Sequence, residues 1–105
     1  MSPTRFLVHE SIFDKFVEGF TAKTKEMKVG NPLDENNQMG PLIHARRLEA
    51  ISSIIDDAVQ AGATLETGGA PIDGPGYFYQ PTVLSNVPHS ARIMNEEPFG
   101  PVAII

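Results

Sequence analysis

The stretch Asn95-Glu96-Glu97-Pro98-Phe99-Gly100-Pro101-Val102 constrains this chain more than any other. Two adjacent carboxylates precede a Phe-Gly turn bracketed by prolines, and the apolar run Val102-Ala103-Ile104-Ile105 follows. Proline holds φ near about −65°, removes a backbone donor and restricts the residue before it. The turn is therefore stiff, and a stiff turn can hold a carboxylate and an aromatic ring in one orientation. The apolar run has the pattern of a strand buried on both faces. The residues alone leave a plainer reading open, a surface turn that leads into that strand, because exposed Glu pairs and turn prolines are common.

Upstream, the hydrophobic periodicity predicts two main helices. Phe6-Leu7-Val8 reads as a short buried strand. Ser11, with Asp14 three residues on, fits a capping box. Ile12, Phe13, Phe16, Val17, Phe20 and Met27 then fall close to helical spacing on one face, which makes the aromatic stripe core. Lys23, Lys25 and Lys28 suit the C-terminal end of that helix, and Gly30 stops it. Residues 31–43 read as a surface loop with Leu33, Met39, Leu42 and Ile43 tucked onto the core. A second helix is predicted from about Ala45 to Ala61, with Leu48, Ile51, Ile54, Ile55, Ala58 and Val59 on its apolar face and Gly62 closing it. Thr64-Leu65-Glu66-Thr67 is a brief strand. Gly68 to Gly76 is a hairpin or crossover turn. Pro81 predicts an edge strand or a break between Tyr77-Phe78-Tyr79 and Thr82-Val83-Leu84. Residues 90–94 can form one helical turn. The expected fold class is α/β, two main helices packed on a small, mostly parallel sheet, within a single domain spanning 1–105.

Composition excludes several functions. The net charge is −5 and the eight Lys and Arg are scattered, which argues against nucleic acid as a partner. Arg46-Arg47 reads as a solvated helix face. No apolar run approaches the roughly 20 residues that a membrane span needs, so the expectation is a soluble, cytoplasmic protein without membrane contact. The chain has no cysteine, hence no disulfide, thiolate ligand or thiol nucleophile. His9, His44 and His89 form no HxxxH or HxH pair, so no metal site is expected. The Gly68–Gly76 turn is neither GxGxxG nor GxxxxGK, and the serines lack a nucleophile-elbow context.

Several segments in order resemble one family. Glu96-Glu97-Pro98-Phe99-Gly100-Pro101 resembles the Glu-Glu-x-Phe-Gly-Pro signature of the aldehyde dehydrogenase superfamily. Pro3 to Glu10 is similar to the strand after that family's catalytic cysteine. Val29-Gly30-Asn31-Pro32-Leu33-Asp34 resembles its VGxPxD loop, and Met39-Gly40-Pro41-Leu42-Ile43 its GPL turn. Gly68-Gly69 with Gly76-Tyr77-Phe78-Tyr79-Gln80-Pro81-Thr82-Val83-Leu84 resembles its GG…GxFxxPTVL segment. The resemblance is nearest to the bacterial branch that oxidises small aldehydes, including succinate semialdehyde.

This resemblance implies an NAD(P)+-dependent oxidoreductase that converts aldehydes to carboxylic acids, with an aldehyde and NAD or NADP as its small-molecule partners, and a homo-oligomeric parent. It implies that Glu97 accepts hydrogen bonds from the nicotinamide-ribose hydroxyls and that Phe99 packs beside the nicotinamide ring. A carboxylate suits a diol because it can accept both hydroxyl donors with charge assistance. Glu96 is expected to face solvent or enter a local salt bridge. No catalytic residue is assigned, since the family's nucleophilic cysteine would fall just before Met1. The general base, the dinucleotide-binding half and the C-terminal portion have no counterpart here either. The expectation is a partial catalytic domain with an artificial start at Met1-Ser2, inactive by itself, whose apolar end Val102–Ile105 is an unpaired strand prone to dimerisation or strand exchange. The alternative is a stand-alone, non-catalytic binding module that uses the same fold.

Overall fold

The computed structural model describes residues 4–105. The expectation of an artificial start at Met1-Ser2, and the first residue of the segment from Pro3, lie outside the described residues. The elements run in the order α1 (Phe13–Lys25), α2 (Ala45–Gln60), β1 (Thr64–Thr67), β2 (Thr82–Ser85), α3 (Arg92–Asn95) and β3 (Val102–Ile104), with a 3-10 turn at Glu10–Ile12 before α1.

The sheet has the order β1-β2-β3. The β1/β2 pair is antiparallel, with a register irregularity between Leu65 and Thr67, and β2/β3 is parallel, with Leu84 opposite Ile104. Arg5 bridges Ile104 in parallel on the outer side of β3. Two of these three pairings are parallel, in keeping with the α/β class read from the sequence.

Side-chain alternation places the two helices on opposite faces of the sheet. Leu84, Val102 and Ile104 join Ile51, Ile54, Ile55 and Ala58 of α2 in one buried cluster with Ala91 and Ile93. Val83 and Ser85 occupy the alternate positions of β2. On that other face lies α1, which buries Val17, Thr21 and Thr24. With both faces covered, all four residues of β2 are buried. The four-residue stretch thus sits in the middle of the sheet, and Pro81 acts as a break before a central strand rather than as the mark of an edge. Its missing N–H is harmless at that break, and the ladder starts one residue later where the Thr82 amide donates to Pro101 O at 2.8 Å.

The second helix follows its sequence closely. Ile51, Ile54, Ile55 and Ala58 are buried at i, i+3, i+4 and i+7. Its end is a Schellman motif: Gly62 N donates to Val59 O at 3.0 Å, and Ala63 N to Ala58 O at 2.9 Å. Gly62 has φ +113°, which a Cβ would strain. Val59, expected on the apolar face, is exposed because it lies beyond the edge of the buried stripe.

Four expectations are corrected. The Ser11 capping box does not form. His9 takes the cap, its Nδ1 accepting from the Ser11 amide at 3.2 Å, while α1 begins two residues later behind an uncapped Ile12. The aromatic stripe of α1 is only half-buried, because the Val17, Thr21, Thr24 line meets the sheet instead; Phe16 and Phe20 pack against Phe6, with the Phe6–Phe20 centroids 4.8 Å apart. Phe6-Leu7-Val8 is extended but not a buried strand, and Leu7 is 100% exposed. In the 31–43 loop, Leu33 and Ile43 are exposed at 90% and 81%, and only Leu42 packs against the core. Local Asx turns at Asn31 and Asp34 and the Val29–Met39 bridge shape this loop, and they do not need those two side chains.

The C-terminal run is also not an unpaired edge. Ile104 N donates to Thr4 O and Phe6 N to Ile104 O, both at 2.8 Å, while Ile105 N bonds Leu84 O on the other side. Both edges of the segment are therefore engaged, and the backbone groups expected to recruit a second copy already have partners.

This packing predicts a contrast in stability. Ile55→Ala, at a position 1% exposed, is expected to cost about 2–5 kcal/mol. Leu7→Ala is expected to stay within about 0.5 kcal/mol of the parent. Urea denaturation of the two variants checks both values, and a large loss at Leu7 would restore the buried-strand reading.

Candidate functional site

The proline-bracketed turn is built from two successive tight bonds. Gly100 N donates to Pro98 O at 3.0 Å and Val102 N to Gly100 O at 2.9 Å, so Phe99 and Pro101 are each the centre of a three-residue turn. Pro98 is buried, whereas Phe99 projects outward and is 61% exposed. Gly100 is required by a close approach: a Cβ there would lie 2.6 Å from Ile51 Cγ1. The turn is thus seated on α2 by its glycine and fastened to β2 through Thr82 N.

The residues just before the turn are fixed independently. Asp57 of α2 caps α3, its Oδ2 accepting from the Arg92 amide at 2.9 Å. Asn95 Nδ2 donates to His89 O and Ala91 O, both at 3.0 Å, and Arg5 Nη2 donates to Met94 O at 2.5 Å. Arg92 and Glu96 form a two-pronged pair, Nε to Oε1 at 2.9 Å and Nη2 to Oε2 at 3.2 Å. That pairing holds the Glu96 carboxyl below its usual range, chiefly through the hydrogen bond. The local salt bridge foreseen for Glu96 is therefore present.

Glu97 differs from its neighbour. It is exposed, and among the described residues no hydrogen bond or ion pair engages its carboxylate. Glu97 and Phe99 both line a groove of about 730 Å³. Phe6 and Phe20 form one wall, Pro98 and Pro101 contribute from the turn, and Tyr79 lies at the buried side. Burial pushes the Tyr79 phenol above its ordinary value. The groove is mostly apolar, with the Glu97 carboxylate and an exposed ring at its rim.

The structure thus brings the two residues singled out in the sequence to one groove. Sequence reasoning missed two contributors. Arg47, read as part of a solvated face, places its guanidinium carbon 5.5 Å from the Phe99 ring centroid. His44 caps α2, its Nδ1 accepting from the Arg47 amide at 3.1 Å. Nothing in the local sequence links Arg47 to Phe99, because only the docking of the turn on α2 brings them together. Among the described residues, no group of three or more acidic or histidine side chains is placed to hold a metal, and no helix is long and apolar enough to cross a membrane.

The sequence profile of the aldehyde dehydrogenase family matches residues 1–105. The chain belongs to this family. Among curated aldehyde dehydrogenases, it is 50% identical over 99 residues to a succinate-semialdehyde dehydrogenase of Paenarthrobacter nicotinovorans, covering 94% of this chain and 22% of that protein. It is 48% identical over 99 residues to an NADP+ succinate-semialdehyde dehydrogenase of Mycobacterium avium, covering 94% of this chain and 21% of the relative. Betaine aldehyde dehydrogenase of Staphylococcus aureus, solved with NAD+, superposes with a TM-score of 0.90 at 40% identity, over 96% of this chain and 21% of that one. The chain therefore spans about a fifth of the length of the aldehyde dehydrogenases it matches.

The Arg92–Glu96 pair generates a pH prediction. The folded-state pKa of Glu96 is lowered, so its contribution is present above the unfolded carboxylate pKa and is lost as pH falls through the lower folded value. Thermal melts of the parent and Glu96→Gln are expected to differ near neutrality and to converge in acid. A gap that persists at the lowest pH would show that the carboxylate is not its source.

Proposed function

We propose that this chain supplies the nicotinamide-riboside side of the cofactor site in an NAD(P)+-dependent aldehyde dehydrogenase that oxidises aldehydes to carboxylic acids. The observation that carries the reading is the placement of Glu97, whose carboxylate has no partner among the described residues, and the exposed Phe99 ring on one apolar groove. The donor set fits the group: a ribose diol offers two O–H donors to one carboxylate, and the flat nicotinamide finds an aromatic neighbour. When bound, the cofactor supplies a hydride acceptor. Glu97 fixes the sugar by accepting from its hydroxyls. Phe99 limits the positions of the ring and, with Pro98 and Pro101, keeps water from it. The stiff turn keeps the backbone of these two residues in a fixed relation, so less ordering is left to the binding step.

The relatives' names support an aldehyde substrate and either nicotinamide cofactor. Succinate semialdehyde is the substrate class we favour, because the relatives at 50% and 48% identity are succinate-semialdehyde dehydrogenases. The same reading carries a cytoplasmic, homo-oligomeric parent. With no cysteine in its 105 residues, the chain has no thiol to attack a carbonyl, and we expect no turnover from it alone.

Two measurements test this. Nicotinamide riboside titrated into the 105-residue chain is expected to shift the Phe99 and Glu97 NMR signals. Glu97→Gln is expected to weaken binding about tenfold or more, as for loss of a charge-assisted bond. Free nicotinamide, which lacks the sugar, should be indifferent to that change. Riboside binding that ignores Glu97→Gln, or NADH formation by the chain with succinate semialdehyde and NAD+, would overturn the assignment.

A further inference from the structure

We infer that Arg47 is a positioning residue for Phe99: its guanidinium lies over the ring and holds it in the one orientation that leaves its other face open to the groove. This rests on the cofactor-site reading above and adds a residue to it.

The backbone around Phe99 is stiff, but the ring is not fixed by it. Pro98 and Pro101 bracket the turn and Gly100 abuts Ile51, so the main chain has little freedom. The ring itself is 61% exposed, and an exposed phenyl group exchanges rotamers quickly unless something holds it. Arg47 Cζ stands 5.5 Å from the ring centroid, inside the roughly 6 Å reach of a cation–π contact. Arginine suits the task because its planar guanidinium can cover an aromatic face.

The anchor of Arg47 is firm at its own end. It lies in the first turn of α2, where its amide donates to His44 Nδ1 at 3.1 Å and to His44 O at 3.0 Å. No ion pair among the described residues draws its guanidinium elsewhere. Arg46, its neighbour in sequence, is exposed, whereas Arg47 is half-buried. The two arginines of one doublet therefore have different surroundings, and only the second stands over the Phe99 ring. A ring already held in its binding orientation loses less freedom when a flat ligand arrives, which favours binding. An exposed contact of this kind corresponds to an effect of about two- to five-fold in affinity.

The test uses the 105-residue chain labelled at Phe and Arg. Parent protein is expected to show nuclear Overhauser contacts between the Arg47 δ-methylene and the Phe99 ring, with the Arg47 signals moved upfield by the ring current. Arg47→Gln should move the Phe99 ring signals toward those of an unstructured phenylalanine and weaken nicotinamide riboside binding two- to five-fold. Arg47→Lys should recover part of both. Amide spectra of β1, which does not line the groove, control for folding and should be unchanged. The inference fails if Arg47→Gln leaves either the Phe99 signals or the riboside affinity in place. The two readings separate cleanly. Binding that depends on Glu97 but ignores Arg47 sinks this inference alone. No riboside binding by the parent sinks the cofactor-site reading and the ligand half of this one, while the ring signals still decide whether Arg47 holds Phe99.

Discussion

The Ile51 side chain lies against the backbone of Gly100 so closely that no side chain fits between them. Much of the rest depends on that contact. It seats the proline-bracketed turn on α2, and the turn in turn delivers β3 into the sheet beside β2. Ile51 is also 1% exposed and belongs to the cluster that joins α2 to Leu84, Val102 and Ile104. One side chain therefore serves both the core and the shape of the groove rim. A rim built on the core in this way inherits its rigidity, because close-packed interiors yield little to small displacements.

The two glutamates of the motif show how neighbouring residues of one type acquire different roles. Glu96 is paired with Arg92, which also donates to Ser53 Oγ and is capped through its amide by Asp57. That arrangement uses one carboxylate for local structure. The backbone past α3 is extended, so the next side chain points away from its predecessor and the Glu97 carboxylate is left open at the groove. An exposed ion pair contributes little to overall stability. What Arg92–Glu96 contributes here is direction: it fixes the end of α3 from which Glu97 and Phe99 follow.

The aromatic residues of α1 have a related lesson. Their spacing marks an apolar stripe, and Phe16 and Phe20 do pack, but on Phe6 rather than into the main core. The sheet-facing positions went to Val17, Thr21 and Thr24, whose smaller side chains allow α1 to lie near β1 and β2. The larger rings were displaced to the side, where Phe20 forms a wall of the groove with Phe6. Periodicity locates an amphipathic face to within a residue or so, and only contact with a particular neighbour decides which part of that face is buried.

Sequence alone determined the two helices, the strand at Thr64–Thr67, an interruption at Pro81 and the stiff corner at 98–101, and the family motif singled out Glu97 and Phe99 as candidate site residues. Each of these rests on local chemistry: hydrophobic period, glycine and proline geometry, or a compact motif. Tertiary structure decided that β2 is central and β3 is paired on both sides, that His9 and His44 serve as caps, and that Arg47 covers Phe99. These depend on residues far apart in the chain, or on a side-chain nitrogen used as an acceptor where the usual capping types are Ser, Thr, Asp and Asn. No local pattern encodes a contact between positions 47 and 99. It exists because Gly100 lets the turn settle against α2, and that packing is a property of the folded chain as a whole.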